Sequence, residues 1–184
     1  MGKCRRPNYV EKILFTETQI EREIKKAGVW LHKKFAHAKN PPILLGILKG
    51  AVPFYSKLVM NLNIECEFQF LVLSSYGKNL EAVGSPKFIT RLEKSIKGRD
   101  VVIVEDVIDT AHTISKLYRY LKSKKPKSLS TIVLVDKYEM RQDKYKVDYA
   151  CFRLPGNPFI IGYGLDAKEL GRNLTYIASF KKNY

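Results

Sequence analysis

Val101-Val102-Ile103-Val104-Glu105-Asp106-Val107-Ile108-Asp109-Thr110-Ala111-His112-Thr113 is the stretch on which the reading of this 184-residue chain turns. Val101–Val104 is an unbroken β-branched run, the pattern of a strand buried on both faces. Ile114–Leu121 then reads as a helix, and Lys97-Gly98-Arg99-Asp100 as the turn before the strand. The strand runs directly into Glu105-Asp106. Two adjacent carboxylates at the end of a buried strand are costly unless they are solvated or matched by cations. A hard cation such as Mg²⁺, with diol or phosphate oxygens, would match them. Asp109, Thr110 and Thr113 fall in the turn that opens the helix, where backbone N–H groups and hydroxyls make a phosphate cradle. The same residues also read as a plain acidic turn with Asp109 or Thr110 as N-cap. Spacing by itself leaves both readings open.

The pattern repeats outward. Thr16 and Gln19 have capping-box spacing, and Ile20, Ile24, Ala27, Leu31 and Phe35 recur at helical steps until Asn40-Pro41-Pro42. Ile43–Leu48 is a second buried strand. Ala51–Leu62 reads as a helix with Val52, Tyr55, Leu58 and Val59 on one side. Phe68–Leu73, Thr131–Val135 and Phe159–Ile161 complete five expected strands. Apolar strands alternating with helices predict an α/β fold, a central parallel sheet flanked by helices. Ligands of such sheets bind in the loops that follow the strands. The polar stretch 79–86, with Gly84 and Pro86, reads as a long functional loop.

Composition sets bounds. The length suits about one domain at roughly 100–200 residues per domain, and 45% hydrophobic with 28% charged residues is ordinary for a globular chain. Three scattered cysteines, Cys4, Cys66 and Cys151, give neither a disulfide framework nor a zinc ribbon, and suit a reducing cytoplasm. Charges interrupt every apolar run well before the ~18 residues of a membrane span. No apolar segment follows the basic start, so no secretory signal is read there. Gly2 lacks the usual myristoylation context, because Arg6 stands where Ser or Thr is preferred, and Lys182-Asn183-Tyr184 is no peroxisomal address. His32 and His37 have no partners at metal-site spacing. The net charge of +15 attracts polyanions, either nucleic acid or a small polyphosphorylated substrate, and also describes a merely solvated basic surface.

The thirteen-residue stretch resembles the phosphoribosyl-diphosphate motif of the purine phosphoribosyltransferases, in the hypoxanthine/guanine form that has Glu-Asp followed by Ile-Asp-Thr. Other segments match in order over roughly residues 10–180. Leu48-Lys49-Gly50 resembles the diphosphate loop, and Ser74-Ser75-Tyr76-Gly77 the start of the family's lid. Lys137 resembles the lysine that binds the purine O6, and Arg141 an arginine near the diphosphate. Phe159-Ile160-Ile161-Gly162-Tyr163-Gly164-Leu165-Asp166 resembles the purine and second-metal segment.

The resemblance implies one domain over residues 1–184, with a small hood from the terminal segments, and Mg²⁺-dependent transfer of phosphoribosyl from 5-phosphoribosyl 1-diphosphate to N9 of hypoxanthine or guanine. It implies Glu105, Asp106 and Asp166 at metal, Asp109 as the catalytic acid/base, and Asp109, Thr110, Ala111, His112 and Thr113 at the 5′-phosphate. Lys49, Gly50, Ser75, Tyr76 and Arg172 would serve the diphosphate end and the lid, Phe159 would stack on the base, and Ile160 would offer it backbone groups. It further implies a cytoplasmic homodimer or homotetramer without membrane or nucleic-acid partners. Two positions depart from the family pattern: Ala111 stands where Gly is usual, and His112 where Lys or Arg is usual. Ala111 would tighten the phosphate loop, and His112 would make any cation there depend on pH. The alternatives are a nucleic-acid-binding regulator on the same fold, motivated by the charge, and an enzyme that prefers xanthine.

Overall fold

The computed structural model describes residues 6–74, 87–88, 90–181 and 183–184. Cys4, Ser75, Tyr76 and the stretch 79–86, singled out above, lie outside the described residues. Strand β1 (Val10–Phe15) leads into helix α1 (Glu17–Phe35), strand β2 (Ile43–Leu48), helix α2 (Val52–Val59) and strands β3 (Glu67–Ser74) and β4 (Lys87–Phe88). Strand β5 (Asp100–Ile108), helix α3 (His112–Ser123) and strand β6 (Ser128–Asp136) follow, then a 3₁₀ turn, β7 (Tyr149–Arg153), β8 (Ile160–Ile161) and β9 (Ile177–Phe180).

The main sheet has the order β4-β3-β2-β5-β6-β7, with β3, β2, β5, β6 and β7 parallel and β4 antiparallel. Side chains alternate across it, as the two-residue period of a strand demands. Leu44, Val102, Val104, Ile132 and Leu134 face one layer, where α1 brings Ile20, Ile24 and Leu31 and α2 brings Phe54 and Leu58. Ile43, Leu45, Ile103 and Val133 face the other, where α3 brings Ile114, Leu117 and Leu121. Each such side chain contributes about 1.5–3 kcal/mol by leaving water. Covered on both faces, the strands can be apolar throughout, and this is why they were readable as unbroken runs. The predicted capping box is present: Gln19 N–H donates to Thr16 Oγ1 at 3.4 Å, and Thr16 N–H to Gln19 Oε1 at 2.8 Å.

Some boundaries moved. Helix α1 ends at Phe35, ahead of Asn40-Pro41-Pro42, and α2 is shorter than Ala51–Leu62, with Val52 exposed rather than packed. The fifth parallel strand is Tyr149–Arg153, not Phe159–Ile161. Ile160–Ile161 belongs instead to a second, antiparallel sheet of order β1-β9-β8, in which Val10 pairs with Phe180 and Ile161 with Ala178.

The main sheet divides at one seam. Pairing of β2 with β5 stops at Gly46 and Val104. Pairing of β2 with β3 continues to Leu48 and Val72, and that of β5 with β6 to Ile108 and Asp136. Glu105 and Asp106 therefore lie within a strand, not past its end as the apolar run implied. They lie where one of its neighbours has turned away. The chain also reverses its order of strand addition between β2 and β5, the point at which sheets of this kind place ligands.

Candidate active site

Two adjoining cavities occupy the opened seam. The first, about 360 Å³, is lined by Lys49 and Gly50 after β2, Glu105, Asp106, Asp109, Thr110, Ala111 and Thr113 along β5 and the start of α3, and Asp166 and Arg172. The second, about 400 Å³, shares Asp106, Asp109 and Asp166, and adds Lys137, Asn157, Phe159 and Ile160. The structure thus gathers nearly all the singled-out residues from five separate parts of the chain.

The turn after β5 carries its geometry in the backbone. Ala111 is the N-cap of α3 and sits at φ 70°, in the left-handed region, where an L-residue costs about 1–2 kcal/mol and Gly is the default. The α3 N-terminus has no side-chain cap and no acidic residue in its first turn. Its amides and the positive end of its dipole are thereby left to an anion. Gly50 packs against the acidic strand so closely that a Cβ there would lie 1.6 Å from Asp106 Oδ2. A larger residue at this position would require the Asp106 carboxylate to move.

Glu105 and Asp106 form no ion pair among the described residues. Glu105 Oε1 accepts from Asp106 N–H at 3.2 Å and Asp106 Oδ1 from Val107 N–H at 2.8 Å. Burial, and then the adjacent Asp106 charge, push the Glu105 carboxyl well above its usual range. The pair is an uncompensated acidic site.

Asp109 stands where the cavities meet. Its Oδ2 accepts from Lys137 Nζ at 3.1 Å, while its Oδ1 is buried without a partner. The Lys137 side chain is only 7% exposed, and its Nζ also donates to Asn157 Oδ1 at 3.0 Å. Phe159, by contrast, is 58% exposed. A large aromatic ring left half in solvent on a cavity wall is free to cover a flat ligand. Asp166 Oδ1 pairs with Arg172 Nη2 at 2.7 Å, and Arg172 Nη1 donates to Gly164 O at 2.9 Å. Lys49 Nζ lies 3.8 Å from Glu169.

Two residues stand apart. Arg141 lines neither cavity; it pairs with the buried Asp136 and donates to Tyr145 O. The His112 ring turns away too, with Nε2 2.7 Å from Gln142 Oε1 and Nδ1 3.2 Å from Asp143 Oδ2. There it fastens the segment after β6 to the turn, whose Thr110 O also accepts from Gln142 N–H. Asn157 and Glu169 were not anticipated from sequence. Asn157 sits in Pro155-Gly156-Asn157-Pro158, which reads as turn punctuation and nothing more.

The profile of the phosphoribosyl transferase domain matches residues 12–168. A hypoxanthine-guanine phosphoribosyltransferase of Streptococcus pyogenes is 39% identical over 173 residues, 94% of each chain, and one of Bacillus subtilis is 37% identical over 172 residues, again 94% of each. A hypoxanthine phosphoribosyl transferase of Trypanosoma cruzi superposes with a TM-score of 0.90 at 35% identity, over 97% of this chain and 95% of its own. One of Staphylococcus aureus does so with a TM-score of 0.89 at 34%, over 96% and 94%. The likeness runs through the divided sheet, the acidic strand and the turn into α3, and on these grounds the chain belongs to the phosphoribosyltransferase family.

Proposed function

We propose that this protein is a hypoxanthine/guanine phosphoribosyltransferase of purine salvage, which joins a 6-oxopurine to 5-phosphoribosyl 1-diphosphate and releases diphosphate. The observation that carries this reading is Asp109, a carboxylate with one buried, unpartnered oxygen at the junction of an anion-adapted cavity and a cavity walled by Lys137 and Phe159.

The first cavity suits the sugar phosphate. Amides and hydroxyls of Thr110–Thr113 would hold the 5′-phosphate, and Glu105 and Asp106 the ribose hydroxyls. Lys49 and Arg172 would receive the diphosphate, the planar fork of Arg172 matching phosphate oxygens. Glu105 and Asp106 also fit Mg²⁺, since they are adjacent, uncompensated and open to the cavity. An ion of this type takes one or two carboxylates and completes its shell with substrate oxygens. Asp166 would join a second ion only by loosening its pair with Arg172. When bound, the ion neutralises charge on the departing diphosphate. The second cavity suits the base. Phe159 would cover its face, Ile160 would meet its edge through the backbone, and the Lys137 ammonium, a donor only, would favour a 6-oxo acceptor over a 6-amino donor. As C1 loses diphosphate and gains the purine N9, Asp109 would take up the proton that the ring sheds.

The two sheets read as one domain, with β1, β8 and β9 as a hood. Exposed Val52, Met60 and Phe68 on and beside α2 and β3 suit a self-association surface, in line with a homodimer or homotetramer. No described helix is long and apolar enough to cross a membrane, and a cytoplasmic location fits the free Cys66 and Cys151. Diphosphate release measured with hypoxanthine, guanine, xanthine and adenine in turn, with and without Mg²⁺, tests the whole reading. Release with the first two, dependent on Mg²⁺, is the expected result. Release with adenine alone would overturn the base assignment, and release with none would overturn the activity.

A further inference from the structure

The Lys137 ammonium is the one cation of the second cavity that is almost wholly buried, at 5% residue exposure. A buried ammonium with three N–H donors has a direction only if its acceptors fix one. Two acceptors are in place: Asp109 Oδ2 at 3.1 Å and Asn157 Oδ1 at 3.0 Å. The third N–H has no acceptor among the described residues, and Lys137 lines the cavity into which it is left. Because an ammonium only donates, the partner atom on Asn157 must be the amide oxygen. This fixes the amide with Oδ1 toward the ammonium.

Asn157 is itself held. The Gly156 N–H donates to Glu139 Oε2 at 2.8 Å, Leu154 N–H donates to Asp136 O at 2.9 Å, and Phe180 N–H to Phe159 O at 2.8 Å. The loop between β7 and β8 is therefore tied on both sides of Asn157, and its side chain is presented rather than left free.

We propose that Asn157 is a positioning residue for base recognition: it aims the Lys137 ammonium at the 6-position of the purine and keeps that ammonium from collapsing onto Asp109 alone. This inference rests on the base-site reading given above. It also divides the two partners of Lys137 by function. Asp109 must be free to take a proton, so an orienting acceptor that does not titrate is needed beside it, and a neutral amide supplies that. The consequence is selectivity for a 6-oxo group, because an ammonium held in this direction offers only a donor there.

Steady-state kinetics on Asn157→Ala and Asn157→Asp, with purine and phosphoribosyl diphosphate varied separately, test it. Loss of one charge-assisted hydrogen bond predicts about a tenfold rise in the hypoxanthine KM for Asn157→Ala, with the KM for phosphoribosyl diphosphate held within about twofold. Asn157→Asp, which keeps an acceptor oxygen for Lys137 but sets a titrating charge beside Asp109, should recover most of the loss in KM and not the full turnover. Calorimetric titration with IMP should show the same order among the three proteins. An unchanged hypoxanthine KM in Asn157→Ala would overturn the inference. Equal defects in the two variants would overturn it too, and so would a rise of both KM values together with a lowered melting temperature, which is what a merely structural loop residue would give. A wild-type protein that releases no diphosphate with any oxopurine would instead sink the activity itself, so the two failures are told apart.

Discussion

The first cavity takes Glu105, Asp106, Asp109, Thr110, Ala111 and Thr113 from one unbroken stretch of chain, whereas the second brings Lys137, after β6, against Asn157 and Phe159, from the loop between β7 and β8, two segments that meet only in the fold. The first works largely through backbone: a left-handed Ala111, an uncapped helix start and a glycine too crowded for a Cβ. The second works through side chains, a buried ammonium held by two oxygens and a half-exposed ring. A cavity made of backbone fits what every substrate of the family shares, a sugar with phosphate. A cavity made of side chains can be retuned one residue at a time, and on the function proposed above that is where the choice of base would reside.

The most severe test of this comparison is at Asp109, where the two cavities meet. Asp109→Asn should lower turnover by about 10²–10⁴-fold, the range for removal of a positioned acid/base, with the circular dichroism spectrum unchanged. Turnover kept within tenfold would leave the two cavities without common chemistry. Next in size, Phe159→Ala should raise the KM for hypoxanthine by loss of stacking worth about 1–3 kcal/mol. The KM for phosphoribosyl diphosphate should stay put, and because Phe159 is 58% exposed the melting temperature should scarcely change. Parallel movement of both KM values would erase the division between the cavities. The smallest effect concerns the ligand-free first cavity. Burial raises the Glu105 carboxyl above its unfolded value, so the stability tied to its protonated form is fully present below about pH 4.5 and is lost as pH rises through the raised value. Glu105→Gln should therefore be more stable than wild type near neutral pH in urea unfolding, and the gap should close in acid. No gap at neutral pH would mean that the charge is already compensated.

What could be read from the sequence follows the same division. Runs such as Ile43–Leu48 and Val101–Val104 announced a doubly covered sheet because burial on both faces leaves no polar position to interrupt them. The acidic strand and the turn after it were legible because the chemistry is contiguous. Val10–Phe15 is not, since it carries Glu11 and Lys12 on an exposed edge, and Phe159–Ile161 does not reveal its sheet, because two or three apolar residues fit either. Asn157 left no trace in the pattern, because its role depends on Lys137, twenty residues away, and on no local property. Arg141 illustrates the reverse: a position that matches the family pattern is taken up in the structure by a buried pair with Asp136.

The parting of β2 from β5 after only four paired residues, Ile43–Gly46 against Val101–Val104, sets the floor of the cleft on strands whose side chains also fill the two apolar layers. Close-packed interiors transmit displacement instead of absorbing it. The gape of the binding mouth is therefore set from below, by the girth of aliphatic side chains that no ligand ever touches. Selection for a tighter grip on substrate and selection for a sturdier fold act, in this molecule, on the same few atoms.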